Sequence, residues 1–360
     1  MEGLKVLSPQ EVERLQTSPE YVRVSVAAAM TLGLKSGRMY RDAVCRCVNL
    51  LLHYPQGCWA NCTYCGLARE RPGVPVGNTF IRVTWPLYPT DLVVDRIAAA
   101  GDRVGRVCIA QVQDKRAYPD LLDIAVRIRR KSDVPISALV SATLLNEERL
   151  RAIQDAGADI IGIGLDAASE EVFYYTRGRG ARGPHDWRQH WEIVGIARRL
   201  FGPFKVNCHV IVGLGETDRD LVELFYRLKE MEVAAYLFSF NPEPGTAMGD
   251  RPRAPLHRWR RVQLVKYLIE QYDLPRTALG FDAEGNLVRL SAPAGLVERA
   301  IREGTAFMTN GCPDRHGELA CNRPFGSYRP GEEFRDYPFK PTPDDLALVR
   351  QELQLDGLLS

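Results

Sequence analysis

Short apolar segments alternate with amphipathic segments from about residue 48 to about residue 240. Six apolar segments have the length of β-strands and lie at residues 48–53, 104–110, 135–141, 159–165, 205–212 and 235–240. Between them, apolar positions recur with the helical period at residues 92–100, 121–131, 147–156, 187–200 and 218–231. Strands that alternate with helices form a parallel sheet with right-handed crossovers. A closed eight-unit barrel needs about 250 residues and roughly 200 are present, so the pattern predicts an α/β fold with a partial (β/α)6 TIM-type barrel.

The segments on either side of the barrel pattern differ from it. Ser8, Pro9 and Glu11 have the spacing of a helix start, and a second helix is predicted over residues 19–34. One helix at residues 256–272 precedes a Gly- and Pro-rich tail without periodicity, which must fold over the barrel or be ordered by a ligand. We therefore divide the chain into an N-terminal helical segment (1–47), the barrel (48–250) and an irregular C-terminal extension that closes it (251–360).

Composition and charge narrow the functional classes. The 360 residues carry 47 basic and 45 acidic side chains, and the net charge of +2 argues against nucleic acid or an anionic membrane as the main partner. No segment approaches the roughly 18 apolar residues of a membrane span. The N-terminal residues contain no apolar stretch typical of a secretion signal, so we expect a cytoplasmic protein. Nine cysteines, clustered along the chain, suggest thiolates kept reduced for metal binding or chemistry.

Three cysteines, Cys58, Cys62 and Cys65, follow the first predicted strand with the spacing C-x3-C-x2-C. Barrels of this type place their chemistry at the carboxyl ends of the strands. Three thiolates on one loop can hold three irons of a [4Fe-4S] cluster and leave the fourth iron open to another ligand. Structural zinc is the alternative, but it usually takes four ligands in paired C-x2-C knuckles, and this loop has one such pair. Spacing and position together favour the iron-sulfur cluster.

This motif, after the first strand of a partial barrel, resembles the signature of the radical S-adenosylmethionine (SAM) enzymes. The likeness covers about residues 48–250. It implies that one electron from the reduced cluster cleaves SAM, bound at the open iron, to methionine and a 5′-deoxyadenosyl radical. That radical abstracts hydrogen from an unactivated carbon, while the protein mainly positions it and excludes water.

The resemblance also implies SAM contacts at the ends of successive strands. The matching positions are Tyr64, Ser141, Asp166, Ile211, Gly213 and Asn241. Asp166 would bind the ribose hydroxyls, and Ile211 and Gly213, in the family's I-x-G-x-x-E pattern, would meet the adenine. Each position also has an ordinary explanation: Tyr64 as a core aromatic, Asp166 as a helix N-cap or Gly213 as a turn glycine. Their order along the strand ends argues against coincidence.

A basic loop at residues 174–183 offers partners for the SAM carboxylate. Arg177, Arg179 and Arg182 lie in it, and a guanidinium pairs with a carboxylate through two hydrogen bonds. Each of them can equally belong to a solvated loop. We take Arg182 as the candidate.

Within the superfamily, the segment I-V-G-L-G-E-T and strands two to four look like biotin synthase and its relatives, which hold a sulfur-donating cluster with cysteines on strands two, three and five. The corresponding residues are Cys108, Ala138 and Asn207, so two of the three ligands are missing. Cys208 should point to the helix layer, because adjacent strand residues face opposite sides. These departures argue against biotin synthesis, and Cys108 and Cys208 are expected to be core residues.

Four cysteines remain: Cys45, Cys47, Cys312 and Cys321. The last two lie among Gly, Pro and polar residues where no apolar stripe would bury them, although all four can also be read as accidental or buried fillers. We predict a second, auxiliary [4Fe-4S] cluster that draws on Cys312, Cys321 and one or both of Cys45 and Cys47, with His316 and Ser327 as possible further ligands.

The C-terminal tail and the C-x-C pair look like the two-component lipoyl synthases of archaea and some bacteria, in which two radical SAM proteins insert sulfur into an octanoyl chain on a carrier protein. This resemblance implies an octanoylated lipoyl-carrier protein, a companion radical SAM protein and an electron donor such as ferredoxin or flavodoxin as partners. The alternatives are a radical SAM enzyme that acts on a small molecule, as an isomerase, a lyase or in cofactor maturation, and a non-catalytic iron-sulfur or zinc protein.

Overall fold

The computed structural model describes residues 16–72, 80, 83–327 and 332–359, and it is built around a sheet of eight strands. The strands are β1 (Tyr21–Val24), β2 (Cys47–Leu52), β3 (Leu87–Pro89), β4 (Arg106–Ala110), β5 (Ile136–Val140), β6 (Ala158–Asp166), β7 (Val206–Val212) and β8 (Ala234–Ser239). Their order across the sheet is β3-β1-β2-β4-β5-β6-β7-β8. Two short strands, β9 (Leu279–Phe281) and β10 (Leu287–Leu290), pair separately.

Helices follow the parallel strands. They are α1 (Val26–Thr31), α2 (Thr90–Ala100), α3 (Ala117–Lys131), α4 (Glu147–Asp155), α5 (Glu170–Thr176), α6 (Trp187–Phe201), α7 (Asp218–Glu230), α8 (Leu256–Tyr272), α9 (Leu296–Glu303), α10 (Pro324–Ser327) and α11 (Pro343–Leu353). Side chains of Asn146, Ser169, Asp186 and Thr217 cap the amino ends of α4 to α7 by accepting a backbone N–H. No helix in the described part of the chain is both long enough and apolar enough to cross a membrane.

The six strands predicted from the sequence are β2 and β4 to β8, and they pair in parallel in chain order. Each crossover therefore returns to the adjacent strand, which places the helices on the outer face. Among the described residues β8 pairs on one side only, so the sheet stays open. The predicted partial (β/α)6 barrel is confirmed.

The N-terminal segment corrects the predicted helix at residues 19–34. Residues Tyr21–Val24 form β1, which pairs antiparallel with β2 and β3, and the helix is limited to α1. The cause is the alternation Tyr-Val-Arg-Val, because it buries Val22 and Val24 on one face of a strand. The helix start expected at Ser8 lies outside the described residues.

The two faces of the parallel sheet differ in chemistry. Outward residues such as Val107, Ile161 and Cys208 are buried in the main apolar core under the helices. Inward residues are largely polar or only half-buried: Cys47, Asn49, Cys108, Ser137, Asn207 and His209. The barrel interior is thus a chamber with hydrogen-bonding groups and thiols on its wall.

The C-terminal extension closes the amino-terminal end of this chamber. Arg106, the first residue of β4, donates to the Pro313 carbonyl (2.6 Å), and Arg46, just before β2, pairs with Asp314 (2.7 Å). The Asn322 amide donates to the carbonyls of Val44 (2.8 Å) and Pro338 (3.0 Å). These contacts hold residues 312–322 against the amino-terminal ends of the strands. We call this segment the floor of the barrel; it lies at the end opposite to the loop that contains Cys58.

Candidate active site: a cysteine loop, a nucleotide-type pocket and a cysteine floor

The loop from Cys58 to Cys65 lies at the carboxyl end of β2. Cys62 is buried and Cys58 and Cys65 are half-buried. Backbone N–H groups of Gln113 and Leu67 donate to the sulfurs of Cys58 (3.3 Å) and Cys65 (3.4 Å). Sulfurs that accept backbone hydrogen bonds are suited to metal ligation, because such bonds orient the ligand and tune it.

The electrostatics of this loop favour a cationic partner. Burial raises the pKa of Cys62 to about 12 and also raises the pKa values of Cys58 and Cys65. A bound metal reverses this penalty, because it binds the thiolate and releases the proton. The three-thiol donor set therefore fits a [4Fe-4S] cluster. In the described ranges no group of three or more His, Cys, Asp or Glu side chains has the convergence expected around one metal ion; a cluster differs because each cysteine binds its own iron.

Asp166 ends β6 next to this loop. Its carboxylate accepts hydrogen bonds from the Tyr64 hydroxyl (2.6 Å) and from the Arg177 guanidinium (2.5 Å). The backbone of Asp166 is left-handed (φ 64°) at a register shift between β6 and β7, a conformation that costs energy in a non-glycine residue. Asp166 is thus held in place by a phenol and a buried cation.

An apolar cluster lies beside Asp166, because it includes Tyr64, whose hydroxyl binds the Asp166 carboxylate. Tyr64 and Ile211 pack with Leu214, Phe240 and Met248 in one small cluster. Gly213 has φ 115°, and a Cβ added there would lie 3.0 Å from the Cβ of Phe240. The position therefore requires glycine for both backbone and space.

Glu216 holds the turn beside this cluster. Its carboxylate accepts the backbone N–H groups of Gly213 (2.8 Å), Leu214 (2.9 Å) and Gly215 (3.1 Å) and pairs with Arg258 (3.1 Å). The glutamate of the I-x-G-x-x-E pattern thus shapes the loop from within, because three donors converge on one buried carboxylate.

The remaining predicted SAM residues have different surroundings. In the described part of the chain the Ser141 hydroxyl is buried and lacks a hydrogen-bond partner, as expected where a ligand group completes the site. The Asn241 side chain donates to the Ser239 carbonyl (3.0 Å).

Arg182 is 75% exposed and pairs with Glu70. The guanidinium that reaches Asp166 is that of Arg177, which is 5% exposed. Arg182 as the carboxylate partner stays a prediction, and Arg177 is the residue that the sequence did not single out.

Four cysteines meet at the floor of the barrel. Cys47, Cys312 and Cys321 are buried together with Ile160, and Cys108 and Tyr236 pack against them. Cys108 is therefore part of this group and not of the main core, in contrast to the expectation. Cys45 lies in the main core, where its thiol donates to the Cys47 carbonyl (3.2 Å). Cys208 is also in the main core, as expected.

Other predicted ligands lie elsewhere. His316 is exposed, and its backbone N–H donates to Asp314 (2.8 Å). Ser327 ends α10 and its side chain is outside the described atoms. The strand-three position beside Cys108 on the inner face is Ser137, whereas Ala138 faces the helices, because Cys108 and Ser137 are register partners. The one-residue difference exchanges the two faces of the strand.

The surroundings of the floor cysteines favour the thiolate form of Cys321 over that of its neighbours. A hydrogen bond from Cys47 and the nearby Arg323 guanidinium lower the pKa of Cys321 to about 5. Burial raises the pKa of Cys312 to about 11, and a hydrogen bond with Cys321 together with burial raises that of Cys47 well above its usual range. In the described residues the Oδ1 atom of the buried Asn207 also lacks a hydrogen-bond partner. Four cysteines in one group, with an unmatched polar atom beside them, fit a second cluster.

The fold and the cysteine loop agree with the comparison against protein families. Residues 52–228 match the model described as the radical SAM superfamily. This stretch is just under half of the chain and includes the cysteine loop, so the match supports a radical SAM domain, which implies a [4Fe-4S] cluster and SAM as cofactors.

Curated relatives of this chain include biotin synthases at low identity. That of Syntrophotalea carbinolica is 27% identical over 218 residues, which span 59% of this chain and 62% of the relative. That of Persephonella marina is 23% identical over 278 residues, spanning 76% of this chain and 77% of the relative. The chain thus matches less than two thirds of the length of the first of these proteins.

The fold is also similar to solved structures, at low sequence identity and with TM-scores below 0.5. Methylornithine synthase (PylB) gives a TM-score of 0.48 at 13% identity, over 98% of this chain and 90% of that one. HydG, a maturase of the [FeFe]-hydrogenase, gives 0.48 at 14% identity, over 76% and 61%.

Proposed function

We propose that this protein is a radical SAM sulfur-insertion enzyme that carries two clusters and acts on an octanoyl chain bound to a lipoyl-carrier protein, as one component of a two-component lipoyl synthase. The observation that carries the proposal is the convergence of Cys47, Cys108, Cys312 and Cys321 on the floor of the chamber. Cys47 begins β2 and the cysteine loop follows its end, so the two cysteine groups are separated by about one strand length, roughly 15–20 Å.

The residues of the carboxyl end would bind the cofactors. Cys58, Cys62 and Cys65 would hold the [4Fe-4S] cluster, and Asp166, oriented by Tyr64 and Arg177, would accept hydrogen bonds from the ribose hydroxyls. The bound cofactors supply one-electron cleavage of SAM and abstraction of a hydrogen atom from the substrate. Tyr64 and Ile211 would enclose the adenine in the apolar cluster, and the enclosure would exclude water from the reacting groups.

The space between the two cysteine groups suits an acyl chain. Gly162 and Gly164 of β6 leave the wall without side chains, and a Cβ added at Gly162 would lie 2.9 Å from Asn207 Oδ1. On the neighbouring strands the rings of His209 and Phe238 lie 4.7 Å apart. An unbranched hydrocarbon has no polar group of its own to satisfy, and the aromatic rings and the bare glycine backbone offer it apolar contacts.

The biotin synthase relatives support sulfur insertion as the reaction class, because their name describes an enzyme that makes a sulfur-containing cofactor. The floor cysteines support a sulfur source inside the barrel. The companion radical SAM protein and an electron donor such as ferredoxin or flavodoxin belong to the same proposal.

Iron counting tests the second cluster. After anaerobic reconstitution the wild-type protein should hold about eight irons per chain, as expected for two [4Fe-4S] clusters. The double variant Cys312→Ala, Cys321→Ala should hold about four and keep SAM cleavage. Cys208→Ala is the matched control, since that thiol is buried but lies in the main core. About four irons in the wild type, unchanged in the double variant, would contradict the proposal and favour an enzyme for a small molecule.

Product analysis tests the substrate. An octanoylated carrier peptide incubated with SAM and reductant should gain sulfur, with or without the companion protein according to which sulfur this component inserts. A wild type with two clusters that yields no thiolated product under either condition would refute the substrate assignment.

A further inference from the structure

The sulfurs of the floor cysteines are surrounded by side-chain N–H donors. Asn49 Nδ2 lies 3.5 Å from Cys47 Sγ and 3.7 Å from Cys321 Sγ. Asn207 Nδ2 lies 3.7 Å from Cys312 Sγ, and Arg323 Nη1 lies 3.6 Å from Cys321 Sγ. All three donor residues are at least nine-tenths buried. Two strands, β2 and β7, and a loop from the far end of the chain thus direct donors at three of the four thiols.

Arg323 is fixed in this position by its other contacts. Its guanidinium donates to the Asn310 carbonyl (2.7 Å) and lies over the ring of Phe238, 4.2 Å from the centroid. Its backbone is left-handed (φ 36°), a strained conformation for an arginine. Because these contacts fix the buried guanidinium in one place, its charge acts on the neighbouring sulfurs from a fixed distance.

N–H donors and a cation beside the sulfurs of a cluster shift its equilibrium between the oxidised and the reduced state. A reduced cluster carries one more negative charge than an oxidised one, so N–H···S bonds and a buried cation stabilise the reduced state more. When a carbon radical joins a sulfide, one electron of the sulfide lone pair enters the new bond and the other reduces a ferric iron. Sulfur insertion therefore adds one electron to the cluster that gives up the sulfide.

We propose that Asn49, Asn207 and Arg323 form a hydrogen-bond shell that raises the reduction potential of the auxiliary cluster, with Arg323 contributing most because it alone among the three is charged. This inference rests on the proposed second cluster. The three side chains are positioning residues, since they act through the cysteines and contact no substrate in this arrangement.

Redox titration followed by electron paramagnetic resonance tests the shell. At a fixed solution potential, Arg323→Gln should lower the ratio of reduced to oxidised auxiliary cluster about tenfold, which is about 59 mV for a one-electron couple. Arg323→Lys keeps the charge and should recover most of the shift. Asn207→Leu should shift the ratio in the same direction by less. The signal of the cluster at Cys58, Cys62 and Cys65 should not move in any variant.

Arg198→Gln is the matched control, because Arg198 donates to the Met231 carbonyl (3.1 Å) on the outer helix layer, away from both cysteine groups. Variants with full iron content and an unchanged auxiliary potential would overturn the shell and leave the proposed function standing. A wild type without the second cluster would overturn both. If Arg323→Gln fails to assemble the cluster, Asn207→Leu and Arg323→Lys decide the question, and no shift in Asn207→Leu then overturns the inference.

Discussion

The pair of Asp166 and Arg177 allows a quantitative test of the nucleotide-type pocket. The two side chains are 18% and 5% exposed, and their closest atoms are 2.5 Å apart. With charge centres about 4 Å apart and an effective dielectric constant of about 20, their attraction is about 4 kcal/mol before desolvation. Removal of one partner leaves the other charge buried and unpaired, which typically costs about 3–5 kcal/mol.

The perturbation is a double-mutant cycle of Asp166→Asn, Arg177→Met and the combined variant. We expect Asp166→Asn to lower the free energy of unfolding by about 3 kcal/mol, because it leaves the Arg177 cation without a counter-charge. The combined variant should be more stable than the sum of the single effects by about 1–3 kcal/mol, since it removes both charges. Denaturant unfolding under anaerobic conditions measures these differences. Glu147→Gln, in an exposed pair with Arg151, is the control and should change stability by less than about 1 kcal/mol.

Binding of SAM gives a second readout. If Asp166 accepts the ribose hydroxyls, Asp166→Asn should weaken SAM binding to the reconstituted protein by roughly 10- to 100-fold, the effect of a hydrogen bond to a charged group. Strictly additive stability changes would refute the reasoning about the buried pair. Unchanged SAM affinity in a destabilised variant would refute the role of Asp166 in binding and leave it a structural residue.

Two further predictions concern the backbone. Gly213→Ala should cost on the order of 1–3 kcal/mol of stability and weaken SAM binding, because the positive φ and the 3.0 Å approach to Phe240 disfavour a Cβ. The control is Gly195→Ala in α6, where an added Cβ meets nothing within 4 Å, and it should be neutral or stabilising. Equal effects of the two changes would contradict this reasoning. A hydrogen bond from the Gln189 backbone holds the pKa of Asp186, the N-cap of α6, below its usual value. Asp186→Ala should therefore cost about 1 kcal/mol at pH 7. The difference in unfolding free energy should shrink as the pH falls from about 4 downward, because the unfolded carboxylate takes up its proton first and the folded one, with its lowered pKa, takes it up last; a constant difference would argue against the cap.

The sequence predicted the barrel and the radical SAM loop because both are local patterns. The apolar positions of a strand or a helix recur at a fixed spacing among neighbouring residues. Cys58, Cys62 and Cys65 likewise lie within eight positions of one another. The N-terminal strand was missed because its local pattern is only four residues long. The alternation at residues 21–24 suits a strand, but the partners β2 and β3 come from later parts of the chain, and the local sequence does not indicate them.

Part of the candidate SAM site could be proposed from the sequence. Ser141, Asp166, Ile211 and Gly213 were named from the resemblance and from their positions at strand ends, and their contacts with SAM stay a prediction. The arginine was harder, because Arg177 and Arg182 lie in one basic loop and only its path places Arg177 in the interior and Arg182 at the surface. The structure also shows that Glu216 shapes the turn, a role that became visible once its carboxylate was seen to accept three backbone N–H groups.

The sequence by itself determined the fold class, the cysteine loop and the presence of four further cysteines outside it that needed an explanation. Only the tertiary structure decided which thiols meet, because Cys108 and Cys321 are far apart in the chain and approach each other through the register of the strands and the docking of the C-terminal extension. Cys45 and Cys47 show the principle on the smallest scale. They are two residues apart, but Cys45 precedes the first residue of β2, so the strand's alternation does not extend to it, and it lies in the core while Cys47 faces the chamber.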